Sequence, residues 1–475
     1  MPVQLGHDCF DVRRRAFVFA ALAVFFLIWT ASGPSDAAQA GGQPSASSGA
    51  AEAFIGGAIY SADWIAAPNV SDGADGLGPL FNATSCAACH PGQDASLGAL
   101  GRPAVQAVPH VLRLARRSSG VRRQQSVGLD LPPVTPDPDP RYGAQLQDRA
   151  IPGHAAEGQI AVRWAYVKWR LGDGTEVNLR LPRVRVSSPV YGPLSPDVAM
   201  SLRRPPPLEG LSVVAAIDES RILSNADPED RDGDGISGRP GYALDERRGK
   251  QVLARFGWKA SVASLADQTA AAFSLDMGLS SVRRGLGSGD CTPLQAACRS
   301  AVDGASAAKG GFEVSEREID LVVVYLESLP APMPSGDTKV AESRGATQFA
   351  QLGCAACHRI DLSGTTQGGV RSEVSRDVRL FSDLLLHDMG LGLGDGIAEG
   401  TASGREWRTP PLWGLSLRLE DIARGRIQGL LHDGRARTIE EAVLWHGGEG
   451  AASRERFWQL AAPDRANFLA YLSGL

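Results

Sequence analysis

The sequence has little cysteine, no excess of positive charge and no long hydrophobic run beyond its first forty residues. With seven cysteines in 475 residues, a motif that needs two of them at a fixed spacing is not expected to recur by chance. The net charge of -5 excludes a strongly basic protein, so no nucleic-acid partner is expected. The remaining composition is that of a globular chain long enough for two or three domains.

The N-terminus has the features of a secretory signal peptide. Three arginines at positions 13–15 precede an apolar run over residues 16–31, and Ala38-Gln39-Ala40 offers a cleavage site. We therefore predict that residues 1–40 are removed on export to the periplasm. The apolar run is slightly short for a spanning helix, so a membrane anchor that stays uncleaved is the alternative. Residues 41–50 are rich in Gly, Ser and Ala and are predicted to be a disordered lead-in.

A C-x-x-C-H motif occurs twice, at residues 86–90 and 354–358. It is the attachment signature of c-type haem. Cysteines one helical turn apart, Cys86 with Cys89 and Cys354 with Cys357, can each form a thioether with a porphyrin vinyl group. The next residue, His90 or His358, can then supply a nitrogen ligand to the iron. A zinc site would need a second cysteine pair, and a redox disulfide has no use for the histidine. We predict two covalently bound haem c groups.

Cys291 and Cys298 form the remaining cysteine pair of the mature chain, since Cys9 precedes the cleavage site. In an oxidising compartment they are predicted to close a small disulfide loop. Two free thiols are the alternative.

Local patterns predict several secondary-structure elements. Residues 160–171 and 177–181 alternate around a Gly-Asp-Gly turn and predict a β-hairpin. Ser315 and Glu318 form a capping box that begins a helix to Leu329, followed by a proline-rich hinge. Two further helices are predicted at residues 340–352, with Gly345 on one side, and at 464–473.

The segment Arg204-Pro205-Pro206-Pro207-Leu208-Glu209-Gly210-Leu211-Ser212 has a counterpart in Arg408-Thr409-Pro410-Pro411-Leu412-Trp413-Gly414-Leu415-Ser416. This repeat favours a duplicated unit. We therefore predict a mainly α-helical fold of two cytochrome c-like haem domains, residues 51–333 and 334–475. The first would be enlarged by insertions that include the β-hairpin.

Asp230, Asp232 and Asp234, followed by Gly235, reproduce the first half of an EF-hand calcium loop. The expected glutamate at the twelfth position is missing, because Gly241 stands there. The loop is therefore either a Ca²⁺ site completed by another carboxylate or a solvated acidic turn.

The chain resembles the bacterial di-haem oxidoreductases, which are related to peroxidases and sometimes called thiol oxidoreductases. Besides both haem motifs, the resemblance rests on the segments 232–239, 255–260, 387–390, 407–413 and 432–437. More distantly the chain is similar to di-haem cytochrome c peroxidases and to the di-haem enzyme of methylamine utilisation. The resemblance implies that one haem takes up electrons and the other meets peroxide.

By this resemblance the second haem relays electrons, and its sixth ligand follows the short helix after the His432-Asp433-Gly434 turn. His446 stands at that position. Met389 is the next candidate ligand, and His387 a third. His432 is expected to hydrogen-bond a propionate or water near the haem.

The first haem is by the same resemblance the peroxide-reactive one. Gln147 and Glu157 match the spacing of the distal glutamine and glutamate in the peroxidases, although they precede the Arg-Pro-Pro segment instead of following it. They are the predicted catalytic residues, with a loop glutamate as the alternative for Glu157. His154 is either a distal ligand of a resting form or a loop residue.

Two functions follow from these expectations. A peroxidase-like oxidoreductase would take electrons from a small periplasmic protein and reduce hydrogen peroxide or another small oxidant. A non-catalytic electron-transfer cytochrome would have both irons six-coordinate. One convincing sixth ligand for two haems favours the enzyme.

Overall fold

The computed structural model describes residues 46–68, 74–90, 110–117, 136–245, 248–333, 344–365 and 377–475. The predicted signal peptide, the first half of the lead-in (residues 41–45) and Pro334, the last residue of the hinge, lie outside the described residues. No described helix is long and apolar enough to span a membrane. The division into domains at residue 334 stays a prediction.

The helices of the described residues are mostly short. They are α1 (Ala46–Ser61), α2 (Cys86–Cys89), α3 (Leu211–Ala216), α4 (Glu219–Leu223), α5 (Leu265–Met277), α6 (Ala296–Arg299), α7 (Glu316–Ser328), α8 (Arg344–Gln351), α9 (Gly390–Leu393), α10 (Leu415–Ala423), α11 (Ile439–Trp445), α12 (Ala451–Trp458) and α13 (Ala462–Ser473), with 3₁₀ turns at Ala307–Lys309, Cys354–Ala356 and Gly448–Gly450. Helix α1 begins within the predicted lead-in, so order starts earlier than the sequence predicted.

The strands are β1 (Leu80–Phe81), β2 (Val111–Arg116), β3 (Gln145–Leu146), β4 (Arg149–Ala150), β5 (Gln159–Arg170), β6 (Glu176–Ser187), β7 (Val198–Arg203), β8 (Gly241–Asp245), β9 (Lys250–Ala254), β10 (Ser363–Thr365), β11 (Asp377–Arg379), β12 (Leu386–Asp388) and β13 (Glu406–Arg408). They form small antiparallel sheets: β1–β4, β3–β2–β7, β5–β6, β8–β9, β10–β11 and β12–β13.

The prediction of a mainly α-helical protein is wrong. The structure is 32% helix and 22% strand, and its described residues do not show two cytochrome c-like domains. Most of the strands are too short to show an alternating pattern. Strand β2 also pairs with β7, about ninety residues away along the chain, and β12 with β13. Such pairings depend on tertiary contacts that local propensity does not encode.

The predicted β-hairpin is confirmed. Strands β5 and β6 pair over their full length, with Trp169 opposite Val177 and Val167 opposite Leu179. Val177 and Leu179 pack with Phe349 and Phe468 in the core of the C-terminal half. The hairpin from the first half therefore stabilises the second.

Two helical predictions are also confirmed. Ser315 and Glu318 form the capping box of α7, whose apolar face packs on α1 and α5 in a first core. In the second core α8 contacts α13 closely, since a Cβ on Gly345 would lie 2.3 Å from the Cβ of Tyr471. Any larger residue at position 345 would force the two helices apart.

Candidate functional site

The two C-x-x-C-H motifs have similar backbone conformations. Each forms one tight helical turn, in which the amide of His90 or His358 donates to the carbonyl of the first cysteine at 3.0 Å. The turn brings the two thiols of each motif to the same side. All four motif cysteines are unbonded, so their sulfur atoms are free to form thioethers.

Both motifs line one cavity of about 1110 Å³. This volume is at the upper end of ligand pockets, which commonly enclose about 300–1000 Å³. Its wall includes both motif histidines, both Arg-x-Pro-Pro repeats and His446. Two large apolar groups attached at the two motifs would therefore share one chamber.

Each motif histidine is held as a neutral imidazole. His358 donates from Nδ1 to the carbonyl of Phe381 at 2.9 Å, and His90 hydrogen-bonds the carbonyl of Pro206. Burial lowers the pKa of both histidines to about 4. In His358 this leaves Nε2 as an unprotonated lone pair, the form in which imidazole binds a metal. The residues present therefore fit two covalently attached haems.

His446 lies near His358 in the second part of the cavity. Burial lowers the pKa of His358 most, and the charge of His446 lowers it next most. Its own Nδ1 donates to the carbonyl of Ala442 at 2.8 Å, and burial lowers its pKa. Helix α11 ends at Trp445, so His446 is its C-terminal cap, as the sequence predicted.

Met389 lies beside His446. A Cβ on Gly450 would be 3.1 Å from the Cβ of His446 and 3.4 Å from the Cε of Met389. Both side chains line the cavity, so they are neighbouring candidates for one ligand position.

His387 is unsuited to be a ligand because both of its nitrogens are occupied. Its Nε2 donates to Asp383 at 2.9 Å and its Nδ1 to Glu449 at 2.6 Å. Burial lowers the pKa of His387, but the bonds to Asp383, Cys357 and Glu449 outweigh it and hold the pKa well above the usual value. An imidazolium has no lone pair to offer to iron.

The segment 237–239 of the first half contacts two residues of the cavity wall, His387 and Glu449. Ser237 donates to both carboxylate oxygens of Glu449, the partner of His387. A Cβ on Gly238 would lie 2.9 Å from the His387 ring. Residues 232–239 are one of the segments on which the family resemblance rests. Through Glu449 and His387 they support the second haem motif.

His432 lines the cavity and stacks on the indole of Trp407, with ring centroids 3.8 Å apart. The Lys259 ammonium lies 4.2 Å from the same indole centroid. Burial lowers the pKa of His432 to about 4, so it is a neutral group at the cavity wall.

The first motif has fewer candidate ligands around it. His110, His154 and Met200 do not line the cavity, and His154 hydrogen-bonds the carbonyl of Ala297. Met277 does line it, but it packs in the first core. Among the described residues of the first half, His90 is the only histidine at the cavity wall.

Glu157 and Gln147 lie together but away from the cavity wall. The backbone amide of Gln147 and the side-chain amide of Gln295 each donate to a carboxyl oxygen of Glu157 at 2.6 Å. Burial raises the pKa of Glu157 to about 9, against these two bonds. Glu157 is thus a protonated acid in a closed polar network.

Asp276 is an acid at the cavity wall that sequence reasoning missed; Glu209, Glu399 and Glu449 line the same cavity. Asp276 lies in the last turn of α5, and its carboxyl accepts a hydrogen bond from the side-chain amide of Gln145 at 2.7 Å. Burial raises the pKa of Asp276. After burial, its charge is the largest influence that raises the pKa of the Cys86 and Cys89 thiols. The motif at residues 86–89 is far from Asp276 in sequence, so no local signal connects the two.

A hydrogen-bonded network joins Asp276 to Glu157. Asp290 accepts from the backbone amide of Gln145 at 3.1 Å and from the side-chain amide of Gln147 at 3.3 Å. The Gln147 amide then donates to Glu157. The predicted pair is therefore connected to the first motif through Asp276.

A family model described as "di-haem oxidoreductase, putative peroxidase" matches residues 30–475. The chain belongs to the di-haem oxidoreductase family. No curated protein and no solved structure matches it. The family description agrees with the cavity, because the residues that would hold two haems are those that line it.

The acidic loop of this di-haem oxidoreductase brings the carboxylates of Asp230, Asp232 and Asp234 within 4.8 Å of one another. The Gly235 amide donates to Asp230 at 3.1 Å, and its φ of +84° makes the sharp turn that glycine permits. Two carboxylates that follow in the sequence, Asp245 and Glu246, are candidates to complete a Ca²⁺ site; Asp245 ends β8, and Glu246 lies outside the described residues.

The predicted disulfide between Cys291 and Cys298 is formed, with a Cα–Cα distance of 6.4 Å. It closes the loop that leads from Asp290 to Gln295, both members of the Glu157 network. The disulfide thus restrains the loop that holds Gln295 and adjoins Asp290.

Proposed function

We propose that this di-haem oxidoreductase is a periplasmic, peroxidase-like enzyme in which the C-terminal haem relays electrons to a peroxide-reactive N-terminal haem. The observation that carries the proposal is the cavity that both motifs line, with an uneven supply of ligands. His446 is among the main influences on the pKa of His358, whereas no histidine is among the main influences on the pKa of His90. A first haem without a sixth protein ligand suits the reaction with peroxide, and a second haem with one suits electron relay.

Reduction of hydrogen peroxide to water consumes two electrons and two protons. A haem attached at each motif would supply the one-electron chemistry. The chain's own contribution is proton handling: burial raises the pKa of Asp276 and so favours its protonated form at the cavity wall, and Gln145 orients its carboxyl. Asp290 and Gln147 connect this acid to Glu157, which holds a second proton behind it.

A non-catalytic electron-transfer cytochrome is the second candidate, and Met277 favours it. Met277 lines the cavity next to Asp276, and a turn of its side chain out of the first core would bring a thioether to the first site. The two functions differ in one property, the reaction of the first haem with peroxide.

The proposed partners are a small periplasmic electron-donor protein and hydrogen peroxide or another small oxidant, with no nucleic acid. The periplasmic location rests on the export signal at residues 1–40 and on the disulfide, which forms in oxidising compartments.

Mass spectrometry of the mature protein is expected to show two haems that survive acid–acetone extraction. Cys86→Ala with Cys89→Ala should remove one, and Cys354→Ala with Cys357→Ala the other. Cys291→Ser with Cys298→Ser is the matched control and should keep both, because these cysteines are bonded to each other. A wild-type mass with one haem or none would contradict the proposal.

Calcium is expected to bind the acidic loop and stabilise the fold. At a concentration one hundred times its Kd, the free energy of unfolding should rise by about 2.7 kcal/mol. Thermal unfolding with CaCl₂ or EDTA measures this change. Asp232→Asn should abolish it, whereas Glu229→Gln, in the same turn but outside the carboxylate cluster, should retain it. Equal melting temperatures with CaCl₂ and EDTA would leave the loop an acidic turn.

A further inference from the structure

Arg204 and Arg408 are equivalent residues of the internal repeat, and both line the cavity. Each begins an Arg-x-Pro-Pro-Leu segment that leads to a glycine with positive φ and a short helix, α3 or α10. The repeat therefore places one guanidinium in the chamber from each half of the chain.

Both guanidinium groups bond only to backbone carbonyls. Arg204 donates to the carbonyl of Leu431 at 2.7 Å, and Arg408 to that of Gly257 at 3.1 Å. Each also donates from Nη1 to the carbonyl of the next residue, at 3.4 Å and 3.2 Å. Neither forms an ion pair with a carboxylate of the described residues, and neither Nη2 has a partner among them.

Two other arginines at the cavity wall, Arg203 and Arg283, are paired with carboxylates. Arg203 pairs with Asp395 and Glu399, and Arg283 with Asp267 and Glu316. Buried cations are normally paired in this way, because an uncompensated charge in a low dielectric is costly. Burial lowers the pKa of both Arg204 and Arg408 to about 10, so each remains a cation at neutral pH. Asp433, Asp421 and Glu209 raise the pKa of Arg204, and Asp383 that of Arg408, but none of these carboxylates is bonded to the guanidinium.

The two arginines lie near different motifs. Arg204 is among the charges that influence His90. Asp383 raises the pKa of Arg408. The same Asp383 bonds His387, which in turn contacts Cys357 of the second motif. One guanidinium that is not bonded to a carboxylate therefore lies near each haem motif.

We propose that Arg204 binds a propionate carboxylate of the first haem and Arg408 one of the second. A haem carries two carboxylates, and guanidinium is the side chain best matched to a carboxylate in a desolvated site. The inference rests on the two covalent haems proposed above. It accounts for an arginine at both positions of the repeat whose hydrogen bonds go only to backbone carbonyls.

Spectroelectrochemical titration of the holoprotein between pH 5 and 9 tests the assignment. A nearby cation favours the ferrous state, so Arg204→Gln should lower the potential of the first haem and Arg408→Gln that of the second. A tenfold change in the reduction equilibrium corresponds to about 59 mV for one electron. The affected potential should also become pH-dependent, because the released carboxylate titrates. Arg204→Lys and Arg408→Lys should restore most of each shift.

Arg283→Gln is the matched control, since that arginine is already paired, and it should leave both potentials unchanged. Wild-type potentials and pH dependence in both glutamine variants, with two haems bound, would overturn the inference. If a glutamine variant fails to fold, the lysine variants decide the question, because unchanged propionate bands in their resonance Raman spectra would also overturn it. A wild-type protein without two haems would instead overturn the proposed function.

Discussion

Asp276→Asn is expected to slow the reaction of the half-reduced holoprotein with hydrogen peroxide by about a hundredfold to ten-thousandfold, the usual loss when an acid–base group is removed. Asparagine keeps the shape of the side chain and can still accept the Gln145 bond at 2.7 Å, but it holds no proton for transfer. Haem content and both potentials should stay near those of the wild type. Stopped-flow absorbance after mixing with peroxide measures the rate.

The pH dependence of the same rate follows from the direction of the pKa shift. Burial raises the pKa of Asp276, so the protonated acid persists above the usual range of a carboxyl group. The wild-type rate should fall as the pH rises through this raised pKa, and the Asp276→Asn rate should not show that step.

Glu157→Gln is expected to lower the peroxide rate less than Asp276→Asn, because Glu157 lies behind Gln147 and Asp290 in the network. Glu313→Gln is the matched control. Glu313 is also buried with a raised pKa, but it bonds Ser280 away from the cavity wall. A wild-type rate in Asp276→Asn would exclude this acid, and a larger loss in Glu157→Gln would return the catalytic role to that residue.

His446→Met is expected to raise the potential of the second haem by on the order of 100 mV, within the range of about 0.8 V that axial ligands span. A thioether stabilises ferrous iron relative to imidazole, which fixes the sign. The bis-histidine spectrum of that haem should gain a sulfur-to-iron band, while the first haem is unchanged. Redox titration followed by visible and near-infrared absorbance measures both effects.

Met389→Ala is the matched control, because Met389 lies beside His446 at the same ligand position. It should leave low-spin ligation intact. If His446→Met changes nothing and Met389→Ala abolishes low-spin ligation, the ligand is Met389.

Features carried by local sequence were predictable. The haem motifs depend on five consecutive residues, and the capping box on Ser315 and Glu318, three positions apart. The hairpin β5–β6 is long enough for alternation to be visible on both strands. The close contact of α8 and α13 could also be expected, since only glycine at position 345 permits it.

Features that depend on distant contacts were not predictable. The pairing of β2 with β7 joins segments that are separated by the whole hairpin, and such pairings make the protein far less helical than expected. Asp276 is a single carboxylate at the end of a helix, and only folding brings it to the first motif. His387 shows the same limit, because its two carboxylate partners become visible only in three dimensions.

Mixing the oxidised and the half-reduced holoprotein with hydrogen peroxide in a stopped-flow spectrometer tests most directly whether one haem is open and the other supplies it with electrons. We expect the first haem of the half-reduced protein to be high-spin, to bind cyanide and to react with peroxide, while the second haem loses its electron in the same reaction. Two low-spin haems that do not react with peroxide in either state would contradict this and make the protein an electron carrier.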